Sequence, residues 1–191
     1  MACDVLEANV MPNLTARLPW AALLAITLTA RPALAQTEMF TAVAEIKTAG
    51  GESASVPLTV VVGRYATSNE RRDLIAAIKK GGATSARALL LKRDVAGMLQ
   101  IGGQNTPIRY AYAVDTGASR MITIATAEPI PIANMKQQPG YDVGFLLLDL
   151  GSSGTGTGQL VPAARVHVDA EDAIVTEHAS PDIVQLKVTK K

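Results

Sequence analysis

The residues best suited to chemistry in this 191-residue sequence stand together at Val114-Asp115-Thr116-Gly117-Ala118-Ser119. A carboxylate on a tight turn can act as a base on water when a second carboxylate shares its proton, because like charges at contact distance cannot both ionise. Asp115 is the carboxylate that this stretch offers. The same residues also spell a hairpin turn: Asp-x-Gly falls between two alternating runs, with Tyr110, Tyr112 and Val114 before it and Ile122 and Ile124 after it. The run 151–158, Gly-Ser-Ser-Gly-Thr-Gly-Thr-Gly, follows an apolar stretch as a phosphate loop would. It lacks a Lys-[Ser/Thr] ending and leads toward a strand rather than a helix, so it reads as a flexible connection. His167 and His178 are the only histidines. If Val168 pairs with Ala173, they share a face about four residues apart, roughly 13 Å at strand rise, too far for one metal ion or a Ser-His-Asp triad. Arg71, Arg72, Lys79, Lys80 and Arg87 gather in one segment. They would suit an anionic surface or an acidic partner protein, or else form an ordinary solvated helix face. No aromatics interleave them, which argues against single-stranded nucleic acid.

The stretch Val114–Ser119 resembles the active-site signature of the aspartic peptidases. The sequence carries a single Asp-Thr-Gly, so the resemblance implies a homodimer of the retroviral type, with Asp115 the catalytic carboxylate of each subunit and Thr116 a support for it.

These residues need elements to hold them. Phe40 to Thr48 alternates, and Phe40, Ala42, Ala44 and Ile46 fall on one face. Val56 to Tyr65 is more continuously apolar and predicts a strand covered on both faces, joined to the first through Gly50-Gly51. The period then changes. Thr67-Ser68-Asn69-Glu70 fits a capping box, Leu74, Ile75 and Ile78 follow at helical spacing, and Gly81-Gly82 ends the helix. A second short helix from Ala83 to Lys92 would turn Ala86, Leu89 and Leu90 inward. Strands resume at 98–101, 108–114, 120–127, 143–150, 160–168, 173–177 and 183–188, with turn signals at Gly102-Gly103, Asp115-Thr116-Gly117, Pro139-Gly140, the run 151–158, Asp169 to Asp172 and Ser180-Pro181. The pattern predicts an α+β, mainly β fold: an antiparallel sheet closed as a sandwich or barrel, with one short helical pair at about 68–92.

The N-terminal residues read as an export signal. Arg17 supplies a positive charge, Leu18 to Ala30 is uncharged, and Ala33-Leu34-Ala35 is a small-x-small cleavage site before Gln36. The uncharged run falls short of the about 20 apolar residues that span a bilayer. Asp4 and Glu7 do not suit a signal, which makes Met11 a plausible true start. Residues 1–35 are thus expected to be removed, leaving 36–191 as a single soluble β-rich domain in the periplasm or medium, no longer held by a membrane. Cleavage takes the only cysteine, Cys3, and with it any disulfide, thiol nucleophile or thiolate metal site. No cofactor or metal is expected. The formal net charge of +1 does not point to nucleic acid.

Three stretches carry a second resemblance: a strand ending Ala125-Thr126-Ala127-Glu128-Pro129-Ile130, then Tyr141 before an apolar strand ending in Asp149, then a Gly-rich turn into Gly158-Gln159-Leu160. They resemble an exported bacterial family with no assigned activity. This implies a domain of unknown function in which the Asp115 region is a hairpin. The expected function is a non-catalytic binding or interaction module, set against an aspartic peptidase-like hydrolase using Asp115.

Overall fold

Alternation puts Phe40, Ala42 and Ala44 of the first strand, β1 (Glu38–Lys47), into the core and leaves Met39 and Val43 outside. The computed structural model describes residues 37–47, 53–132, 139–178 and 184–191. The expected export segment with its cleavage site at Ala35 and Gln36, and the turns at Gly50-Gly51 and Ser180-Pro181, lie outside these residues. After β1 come β2 (Ser53–Val62), α1 (Ser68–Leu91), β3 (Gly97–Ile101), β4 (Gln104–Asp115), β5 (Ser119–Thr126), β6 (Val143–Gly151), β7 (Thr155–Val168), β8 (Ile174–His178) and β9 (Val184–Lys190). Every pairing is antiparallel, and β1 to β7 pair in sequence order. The last strand, β9, lies between β7 and β1, pairing Leu160 with Val184 on one side and Phe40 with Lys190 on the other. That double pairing closes an eight-stranded barrel of β1 to β7 and β9. Between sandwich and barrel, the fold is a barrel.

An eight-stranded ring is just wide enough to be filled by its own side chains. Phe40, Leu58, Val60, Leu99, Ile108, Ile122, Ile124, Leu146 and Leu160 pack inside it, each at most 2% exposed. β2 departs from expectation. Its inward Leu58, Val60 and Val62 are buried, but Val61 is only half-buried on the outer wall, because no second layer covers that side.

The second layer lies elsewhere, and two β-bulges extend it. In β4, Ile108 faces Thr126 and Tyr110 faces Ala125, so Arg109 is an extra residue. In β7, Val161 faces Phe145 but Ala164 faces Val143, so the Pro162-Ala163 step carries another. Pro162 has no N–H to give a ladder and suits a bulge, and its carbonyl accepts from Ile130 N at 2.8 Å. Ala125, Phe145 and Val161 face outward by ordinary alternation, and the bulges reverse it so that Tyr110 and, beyond Val161, Ala164 and Val166 join them. Tyr110, Ala125, Phe145 and Val161 form a row across four adjacent strands, and α1 packs on this row through Leu74, Ile78, Ala83, Ala86 and Leu90.

The expected helical pair is present: two helical stretches within Ser68–Leu91, together called α1, meet at a break at Gly81 and Gly82. The capping box is present: Glu70 N donates to Thr67 Oγ1 at 3.2 Å and Thr67 N to Glu70 Oε2 at 2.8 Å. Gly81 and Gly82 leave helical geometry, Gly82 at φ 56°, a conformation costly for any residue with a Cβ. The two halves on either side of that break each follow the curved wall. Arg93, just past α1, returns to its first turn by donating to the Glu70 carbonyl at 2.8 Å, and its guanidinium lies over the Tyr110 ring. Among the described residues no helix is long and apolar enough to cross a membrane.

β8 lies outside the ring. Ala164 pairs with Val143 on one side and with His178 on the other, so β8 runs in line with β9 along the same edge of β7. Lys79 ties the turn at the end of this extension to α1 by bonding Asp172 Oδ1 at 2.5 Å.

Backbone contact across the β6–β7 ladder is closest at Gly156, where a Cβ would stand 1.8 Å from the Asp149 carbonyl oxygen. Gly156→Ala should therefore cost roughly 1–3 kcal/mol and lower the melting temperature by several degrees. Gly151→Ala, whose Cβ would sit 3.5 Å from the nearest atom, should melt close to wild type. Equal melting temperatures in the two variants would refute the close approach.

Candidate functional site

Barrel closure brings the start of β1 beside the end of β9, and with them the tip of the β4–β5 hairpin. Here charged groups converge. Glu38, its side chain 12% exposed, accepts from Arg120 Nη1 at 2.9 Å and Lys190 Nζ at 2.6 Å through Oε1, and from the Tyr65 hydroxyl through Oε2. The Arg120 guanidinium lies 5.0 Å from the centre of the Tyr65 ring, and its Nε is 3.7 Å from Asp115 Oδ1. Burial alone would raise the Glu38 pKa, but the three donors outweigh it and hold the carboxyl at about 2. Burial, then the Glu38 carboxylate, pushes the Tyr65 phenol above its ordinary range. The bond to Glu38 raises Arg120 further. At neutral pH the Glu38 carboxyl is therefore ionised and the Tyr65 phenol neutral.

Above this cluster a cleft of about 300 Å³ opens between two hairpin tips, lined by Asp115, Ser119, Arg120, Ser152, Gly154 and Lys190 among others. Asp115 is thus where the sequence placed it, on a hairpin tip, and its side chain is 81% exposed. Thr116 does not support it. Its hydroxyl donates to the Ser119 carbonyl at 2.9 Å and accepts from Ser119 N at 3.2 Å, closing the turn instead. Glu38 is the other carboxylate on the same guanidinium, and its three donors already occupy it. A proton shared between carboxylates would have to involve Asp115 of a second copy.

The run 151–158 is not a flexible connection. Its turn is short, with Gly154 N donating to the Gly151 carbonyl at 2.9 Å, and β7 already begins at Thr155. The histidine register is also tighter than expected. Val168 pairs with Ile174 and His178 with Ala164, which leaves His178 three residues from His167 along the ladder. His167 Nδ1 lies 3.5 Å from Glu177 Oε1 on the exposed extension. Among the described residues no three His, Cys, Asp or Glu side chains group as metal ligands would.

The basic set does not form one open patch. Arg71 donates to the Asp172 carbonyl at 3.1 Å and lies over Tyr112, and Lys79 bonds the Asp172 carboxylate. Arg72 donates to Asn69 Oδ1, and Arg87 Nε to the Ala127 carbonyl at 3.1 Å. Lys80 is exposed. Four of the five bond within the chain, two of them to one turn.

Sequence reasoning missed Glu38, Tyr65 and Lys190. They stand in no motif, and only the pairing of β1 with both β2 and β9 gathers them. Compared with family models, curated proteins and solved structures, the chain has no match.

A carboxyl whose folded pKa lies below its ordinary 4.5 contributes stability above that value and loses it as pH falls toward 2. Stability should therefore drop by roughly 1–3 kcal/mol between about pH 5 and pH 2 on account of Glu38. Glu38→Gln should melt lower at neutral pH and show a shallower acid slope. An unchanged slope would separate the cluster from acid stability.

Proposed function

We propose that this chain is an exported, non-catalytic binding domain, periplasmic or secreted, whose contact site is the cleft at the barrel mouth. The observation that carries the reading is the Glu38 cluster, whose groups are arranged to hold one another rather than to transfer protons. A carboxyl held at about 2 is ionised throughout the neutral range and has no proton to give. A phenol pushed upward stays protonated and is a poor acid, and general acid–base work favours groups whose pKa lies near the working pH. Phe40 and a set of buried aliphatic side chains pack together in the barrel interior, which supports contact at the rim. Export is supported by Arg17, the uncharged run after it and Ala33-Leu34-Ala35.

A peptide digest at acid pH tests this against peptidase chemistry. Wild type and Asp115→Asn should both leave the substrate intact. Cleavage by wild type that disappears in Asp115→Asn would overturn the binding reading in favour of a dimeric peptidase. Intact mass of exported material should place its first residue at Gln36, and a retained N-terminal segment would count against cleavage there.

A further inference from the structure

We infer that the mouth cleft binds a carboxylate that has an N–H beside it, the chemistry of a peptide's C-terminal end or a free amino acid. This rests on the proposal that the mouth is the contact site.

The donors come first. Arg120 spends Nη1 on Glu38 and turns Nε toward Asp115, and among the described residues its Nη2 has no protein acceptor. Lys190 spends one of three N–H bonds on Glu38, and its side chain is 39% exposed. Both line the cleft, whereas Glu38 does not. The half-buried Glu38 carboxylate therefore sits behind the two cations, fixing their positions while leaving spare donors forward. Donors held in place bind a carboxylate without first losing their own freedom.

The acceptor comes next. Asp115 reaches the same space, 3.7 Å from Arg120 Nε. With Glu38 it balances the two cations, so a simple anion meets little net attraction. A ligand that places a carboxylate on Arg120 and Lys190 and an adjacent N–H on Asp115 satisfies both signs at once. Size restricts it further. A volume of about 300 Å³ lies at the small end of ligand sites, and Gly117, Ala118, Gly151 and Gly154 in the lining admit close approach of backbone. These features suit one or two residues with small side chains.

Calorimetric titration of the purified full chain with N-acetyl-Gly-Gly, its C-terminal amide and free glycine tests the inference. The acid should bind, and the amide about tenfold more weakly or worse, as expected on losing charge-assisted hydrogen bonds. Lys190→Gln should weaken the acid about tenfold and leave the amide unchanged, with the circular dichroism spectrum preserved. Asp115→Asn should weaken it by a smaller factor. Tighter binding of N-acetyl-Gly-Gly than of glycine assigns a peptide end, and the reverse order a free amino acid. Equal binding of acid and amide, or acid binding untouched by both substitutions, would overturn the inference. So would the absence of binding by all three probes. The peptide digest, which reads catalysis and not affinity, bears separately on the underlying reading.

Discussion

Ring closure through β9 is the constraint on which the rest of the structure depends. An antiparallel meander such as β1 to β7 leaves two edges with unpaired backbone groups, and β9 satisfies both by pairing with β1 and β7 together. Closure also encloses a core that excludes water on every side, so a chain of small and medium aliphatics with two phenylalanines holds together by packing. Tight curvature follows, and it requires glycine where backbones nearly touch. Gly156 opposite Asp149 is the clearest case.

The outer layer is completed by breaking the regular pattern twice. Without the extra residues at Arg109 and at Pro162-Ala163, Tyr110 and Ala164 would turn into an already filled interior. With them, apolar side chains reach the outside of the wall and a helix is needed to cover them. The helix is amphipathic to match, and its basic face is spent largely on the chain itself, through the Asp172 turn and the Ala127 carbonyl. A cluster of positive charge in a sequence need not imply an external anion when the fold supplies acceptors nearby.

Local periodicity made most of the elements legible. Alternation marked β1, β4 and β5, an apolar run marked β6, turn signals bounded β3 and β9, and the Thr67–Glu70 capping box marked the start of α1. The Gly81-Gly82 pair marked the break between its two helical stretches. What was not legible is non-local. Sandwich and barrel share the same alternation, and only the double pairing of β9 separates them. The bulges carry no reliable signal, since Arg109 could occupy any exposed strand position. Residues 155–158 read as loop because glycine and threonine are loop-like in composition, yet Gly156 and Gly158 are there because the adjacent strand leaves no room for a side chain. At the site, Asp115 was visible because it belongs to a motif. Glu38 and Lys190 were invisible because 152 residues separate them in sequence.

The closing strand also has a bearing on the order of events in folding. A chain supplied from its N-terminus builds β1 to β7 as an open curl and cannot seal it until β9 arrives. Until then the edges of β1 and β7 are bare, and the outer wall beside β1 offers Met39, Thr41, Val43 and Thr59 with little charge to discourage a neighbour. The dangerous interval is therefore the one just before completion, when nearly all of the sheet exists and its two margins are still free. The Glu38 contact with Lys190 can form only when that interval ends. It acts as a seam, joining the first strand to the last across the gap that closes latest.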